Sequence, residues 1–288
     1  MSMKREPKDK RREEKERRET IGAESSRGFY VYCLGERAAL ASIFEEKLPT
    51  PIEPDSSLEM VDVEDLAAVV SAVSLDEFGE DALQSNLMDP TWTALRAMRH
   101  ERVVEHFGKR ASIVPLRFGT IYLERESIQQ MLEERRADLL AIINRLRGRE
   151  EWGVNVYCDR VKLLEKIETL SAKLRELSKQ ATQASPGQAY LLRKKIEALR
   201  ADEARVEMKR VAAEIEGHLA SLSDGAARLR VLKDEASEHG SVVAKFAFLV
   251  EREHYEEFRA AAERLADEHA TAGYRLELTG PWPAYNFT

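Results

Sequence analysis

Two strand-like runs, Phe29-Tyr30-Val31-Tyr32-Cys33 and Val154-Asn155-Val156-Tyr157-Cys158, share the tripeptide Val-Tyr-Cys, and each opens the same succession of elements. After the first come helix-like Arg37 to Lys47, a loop punctuated by Pro49, Pro51 and Pro54, and two extended runs, Leu58 to Val63 and Leu66 to Val73. Helical material from Leu75 to Gly108 follows, with Pro90 placed to begin a second helix, and then a strand from Ile113 to Thr120. The order is βαββαβ. After the second run come a long helical region, strands at Ala227 to Leu232 and Val242 to Val250, a helix from His254 to Ala270, and a final strand. A chain that repeats this order is expected to be α+β: two ferredoxin-like (split βαβ) domains with a helical, coiled-coil-like expansion in the second.

The boundaries follow from the pattern. Residues 28–123 are expected to form the N-terminal domain, 124–150 a connecting amphipathic helix and linker, and 151–288 the C-terminal domain, with a helical hairpin inserted at 160–222. In the connector, Ile128, Met131, Arg135, Leu139, Ile142 and Leu146 share one helix face by three- and four-residue steps. In the expansion, Leu163, Ile167, Leu170, Leu174 and Leu177 alternate four- and three-residue steps, as along a coiled-coil seam. Ser185-Pro186-Gly187 interrupts it, and Leu192, Ile196, Leu199, Val206, Val211, Ile215 and Leu219 continue an apolar face. A hairpin bent at Pro186 lets the two stripes bury each other.

The last strand alternates cleanly, with Tyr274, Leu276 and Leu278 to one side and Arg275, Glu277 and Thr279 to the other. Gly280, Pro281 and Pro283 are then expected to stop the ladder and keep the terminus out of the sheet. The rings of Trp282, Tyr285 and Phe287 on this short segment need burial, either on the protein's own surface or on a partner. Termination of a last strand favours a clamp on its own domain.

Residues 1–27 carry ten Lys or Arg and seven Asp or Glu, a net of +3 on a chain whose total is −7. A mildly basic tail on an acidic body lacks the coherent basic face that nucleic acid requires, and the tail reads as solvated and disordered. No apolar run approaches a bilayer span, so no membrane partner is expected and the chain is expected to stay cytoplasmic. Cys33 and Cys158 have no metal-ligand spacing and are expected to be buried, reduced strand residues. His100 and His106 fall on different sides of a helix, and His218, His239, His254 and His269 are scattered, each expected to be a lone surface histidine. No catalytic residue, cofactor-binding residue or metal ligand set emerges, so no cofactor and no enzyme are expected.

Three separated stretches carry a family resemblance: Val114-Pro115-Leu116-Arg117-Phe118-Gly119-Thr120, Ala189-Tyr190-Leu191-Leu192-Arg193-Lys194-Lys195, and the ending Gly280-Pro281-Trp282-Pro283-Ala284-Tyr285. With Gly28-Phe29-Tyr30-Val31-Tyr32 and Trp152-Gly153-Val154, they resemble the gas vesicle protein F/L family from residue 28 to the end, Ala284 standing where a second Pro is common. The resemblance implies an accessory protein of gas vesicle formation, acting with the major gas vesicle shell protein at the gas vesicle. Shell subunits must expose apolar, strand-forming surfaces to polymerise, and such surfaces invite premature aggregation. A soluble protein that binds them keeps them dispersed. Aromatic area concentrates in the first sheet, so Phe29, Tyr30, Tyr32, Arg117 and Phe118 are the expected partner-binding residues; Gly119, Gly280, Pro281, Trp282, Pro283, Tyr285 and Phe287 are the family-motif structural ones. The competing class is a scaffold that recruits other accessory gas vesicle proteins through the helical expansion, and a third is an enzyme for a small molecule.

Overall fold

The computed structural model describes residues 27–231, 236–237 and 240–288; the expected disordered tail and His239 lie outside the described residues, apart from Arg27. The chain divides into two compact units between Arg147 and Gly148. The first contains β1 (Arg27–Glu36), α1 (Arg37–Phe44), β2 (Leu58–Val63), β3 (Leu66–Ser74), α2 (Leu75–Phe78), α3 (Glu80–Asn86) and α4 (Pro90–Gly108). It ends with β4 (Ile113–Pro115), β5 (Ile121–Tyr122), α5 (Arg125–Glu134) and α6 (Arg136–Leu146). Its strands lie in the order β2-β3-β1-β4, with β5 also on β1, and every pair is antiparallel.

The sheet of the first unit is covered on both faces. Val31, Val61, Ala68, Val70 and Val114 pack on Ile128 and Leu132 of α5 and on Leu139 and Ile143 of α6. The stretch expected to connect two domains therefore supplies a layer of the first core. It is two helices, because Arg135 leaves helical geometry at φ −102°, ψ 10°. That break resets the face: Leu132 and Ile143 are buried, whereas Arg135, expected on the apolar stripe, is exposed. On the opposite face, Tyr30 and Tyr32 meet His100 of α4 and Phe78 of α2. The expected strand Ile113 to Thr120 stops at Pro115, which supplies no donor, and residues 116–120 form a loop before β5.

The second unit contains β6 (Arg149–Cys158), α7 (Arg160–Leu170), α8 (Ala172–Gln183), α9 (Pro186–Ala220), β7 (Gly225–Leu229), β8 (Ala236–Ser237), β9 (Gly240–Glu251), a 3-10 turn at Arg252–His254, α10 (Tyr255–Ala270) and β10 (Tyr274–Trp282). The strand order β10-β6-β9-β7 again sets the first strand inside the sheet, here between the last two, β9 and β10, all antiparallel. One sheet face, with Trp152, Val154, Val156, Phe246 and Phe248, buries against Leu163, Ile167, Val211, Ile215, Phe258 and Leu265. Among the described residues, no helix is long and apolar enough to cross a membrane.

The chain reverses between α8 and α9 just before Pro186, which begins α9 behind the Ser185–Gln188 capping box. Leu174, Ile196, Val211, Ile215 and Leu219 are buried as the stripes require, but Val206 is 61% exposed and Ala204 and Glu207 take the inward positions. The first leg is broken at Ser171, whose hydroxyl accepts from Leu174 N at 3.2 Å and bonds Glu203 at 2.7 Å. Ser171→Ala is expected to cost about 1 kcal/mol by loss of this cap, read as a lower urea midpoint with an unchanged m-value.

Candidate functional site

The strand alternation of β1 sends Tyr30 and Tyr32 to the same face, and both are 0% exposed. Tyr30 Oη lies 2.9 Å from His100 Nδ1 and accepts from Gly119 N at 3.0 Å. Tyr32 Oη lies 2.9 Å from Ser71 Oγ and accepts from Ile52 N at 2.8 Å. Burial holds the Tyr30 phenol far above its ordinary range, pushes Tyr32 up to about 12, and lowers His100 to about 4. These hydroxyls tether the loops that carry Ile52 and Gly119 to the sheet. They are core groups, so the expectation that Tyr30 and Tyr32 form a contact surface is corrected: sequence alternation cannot reveal that a second layer covers the face.

Phe118 is half-buried, with its ring centroid 6.2 Å from Tyr30 and 5.8 Å from His100. Phe29 is half-buried and Arg117 exposed. Gly119, whose own amide is the tethered one, has φ +83°, a conformation that side chains disfavour, which explains a glycine at this turn.

Apolar surface emerges instead between α3 and α4 and on α4 itself. Leu87 is 44% and Met88 83% exposed where the chain enters α4, and Leu95 and Met98 are 41% and 45% exposed one turn apart. Helical spacing places Leu95 and Met98 opposite His100, Val103, Val104 and Phe107, which are buried. The sequence carried this signal as a second apolar face on residues 90–108, and it was missed because the first face suffices to explain a helix.

At the C-terminus the expectation needs two corrections. The β10 ladder does not end at Gly280: after an irregularity, Trp282 pairs with Glu151. Gly280, at φ +127°, permits the bend, since a Cβ there would meet Glu151 O at 3.0 Å. Of the three rings, Phe287 is buried, Tyr285 is half-buried and Trp282 is 54% exposed, donating its Nε1 to Thr279 Oγ1 at 3.1 Å. Phe287 lies on Gly225, whose missing side chain makes room for the ring. Asn286 gives its backbone N–H and its side-chain amide to the two oxygens of Glu151, at 3.0 and 2.5 Å. Burial raises the Glu151 carboxyl, which is 4% exposed, and the Asn286 bonds oppose the rise. Beyond Trp282 the chain turns instead of running extended: Tyr285 N donates to Pro283 O at 2.7 Å and Phe287 N to Ala284 O at 3.3 Å.

A cleft of about 530 Å³ lies beside Cys158, Asp159, Arg160 and Lys162. Burial and the neighbouring Asp159 push the Cys158 thiol up to about 11, so it is not a thiolate at neutral pH. Both cysteines are buried and free. Among the described residues, one group of potential metal ligands converges, Glu214, Glu268 and His269. Sequence spacing could not find it, because Glu214 comes from α9 and the others from α10.

Residues 28–288 match the profile of the family described as Gas vesicle synthesis protein GvpL/GvpF. Gas vesicle protein L of a Streptomyces strain is 30% identical over 227 residues, covering 77% of this chain and 80% of the relative. Gas vesicle protein L2 of Halobacterium salinarum is 25% identical over 272 residues, 92% of each chain. The crystal structure of the gas vesicle protein GvpF from Anabaena superposes with a TM-score of 0.63 at 17% identity, over 91% of this chain and 96% of that one, a likeness of fold. With the profile matched over nearly the whole chain, this protein belongs to the gas vesicle synthesis protein GvpL/GvpF family.

Proposed function

We propose that this protein is an accessory, minor structural protein of gas vesicle assembly that binds the major gas vesicle shell protein in the cytoplasm and prevents its premature aggregation. The observation that carries the reading is the exposed apolar pair Leu95 and Met98, one turn apart on α4, with Leu87 and Met88 exposed just before that helix. Large side chains exposed together on one face suit a partner surface, and methionine adapts to varied apolar shapes. Both units are read as ferredoxin-like, supported by the shared strand order, with a helical hairpin inserted after the first strand of the second. That arrangement leaves α4 as a rigid platform on a fully covered sheet.

In a mixture of full-length protein and purified shell protein, the delay of light scattering is expected to disappear with Leu95→Glu/Met98→Glu. Affinity should fall on the order of 100-fold, two apolar side chains being worth about 1.5–3 kcal/mol each when fully buried. The fold should survive, since both positions are exposed. Unchanged binding by this variant overturns the surface, and no delay with the unaltered protein overturns the function. A scaffold role has its own observation, the exposed Tyr190, Leu191 and Val206 on α9. Tyr190→Ser/Leu191→Ser that loses other accessory gas vesicle proteins while keeping the shell protein would assign that role to the insertion.

A further inference from the structure

We propose that Glu214, Glu268 and His269 bind a divalent transition cation of the zinc class, which staples the helical insertion to the helix covering the second sheet. One ligand atom from each residue lies within 4.8 Å of the other two. Glu214 projects from α9, next to the inward Ile215, and Glu268 and His269 end α10. The three are brought together by packing of helices distant in sequence.

His269 is the residue that most needs a partner. Its side chain is only 12% exposed, its ring packs edge-on against Tyr274 at 5.9 Å, and its Nε2 is buried with no hydrogen-bond partner. Nε2 faces Glu214 Oε2 at 3.7 Å, beyond hydrogen-bond reach. A buried ring nitrogen that makes no hydrogen bond, beside two carboxylates, is explained by an ion held among them. The burial of His269 and its contact with Glu214 correct the sequence expectation that it is a lone surface histidine.

The chemistry selects the ion. Two carboxylates balance a doubly charged cation, and a neutral imidazole favours zinc-like metals over calcium or magnesium, which prefer all-oxygen shells. With metal bonds of about 2.0–2.1 Å, tetrahedral ligands sit roughly 3.4 Å apart, so the two glutamates must close in slightly. Both are exposed. Glu214 also accepts from Arg210 Nη1 at 2.8 Å, but Arg210 holds Glu207 through Nε and Nη2 at 2.9 and 2.7 Å. Moving Glu214 onto the metal leaves that arginine anchored. Three protein ligands leave a fourth position for water.

The test is calorimetric titration of Zn²⁺ into the full chain after chelator treatment, with thermal unfolding and the visible absorption of Co²⁺ as further readouts. One site with Kd below roughly 10 μM is expected, with a raised unfolding midpoint and a tetrahedral Co²⁺ spectrum. Ca²⁺ and Mg²⁺ should produce neither. His269→Gln and Glu268→Gln should each weaken Zn²⁺ binding at least about tenfold; Glu268 is exposed, so its variant tests the site even if His269→Gln fails to fold. Failure to bind Zn²⁺, or binding that Glu268→Gln leaves unchanged, overturns the proposal.

Discussion

Tyr30→Ala is expected to cost the first unit about 3–5 kcal/mol, the range for removing a large buried aromatic side chain. Three losses coincide at this position. The ring leaves a cavity among Tyr32, Phe78, His100 and Phe118, all with centroids within 6.2 Å of it. The His100 ring nitrogen loses its phenol at 2.9 Å, and the Gly119 amide loses its acceptor at 3.0 Å. Urea unfolding monitored at the first unit should show a matching fall in midpoint. Arg117→Ala, at an exposed position two residues from the tethered glycine, should stay within about 0.5 kcal/mol of the unaltered protein. A stable Tyr30→Ala variant that merely loses partner binding would mean that Tyr30 is a contact residue after all.

Asn286→Ala/Phe287→Ala is expected to destabilise the second unit by about 3–6 kcal/mol at neutral pH. Burial of a Phe ring contributes about 1.5–3 kcal/mol, and a hydrogen bond to a charged group about 1.5–3 kcal/mol. The second contribution depends on pH in a definite sense. Burial raises the folded-state carboxyl of Glu151, so ionisation of this group opposes folding as pH rises through its folded value, and the Asn286 bonds reduce that opposition. Removing the side-chain amide leaves the raised group less compensated. The cost of Asn286→Ala alone should therefore be largest at neutral pH and shrink as pH falls below the ordinary glutamate value, where the carboxyl is protonated in both states. Denaturation midpoints at the two ends of that window check the sign: a cost that grows on acidification would exclude Glu151 as its source.

Much of the chain's organisation was written in local pattern. The proline loop, β2, β3, the start of α4 at Pro90 and the reversal before Pro186 each have a residue whose backbone preference marks the boundary. What could not be read was which element covers which face. The stripe on residues 124–147 announced that it must be buried but not against what, and a strand covered on both sides gives no alternation to distinguish Tyr30 from a surface ring. Candidate sites failed in the sequence for the same reason. Glu214 and His269 are 55 residues apart and meet only through helix packing, and the aromatic density of β1 measures core, whereas the partner surface proposed here rests on two exposed residues one turn apart.

The shared strand order also sets a timetable for synthesis. In each sheet the strand made first is a central one, flanked by strands made later: β3 and β4 beside β1, β9 and β10 beside β6. In the second unit β6 must wait for β9 and β10, on the order of 100 residues, which is 5–20 s of translation at roughly 5–20 residues per second. Throughout that interval Trp152, Val154 and Val156 lack their sheet neighbours, and the hairpin of α7, α8 and α9 is the material at hand to shelter them. The insertion thus occupies the position in the chain where a nascent apolar strand most needs cover.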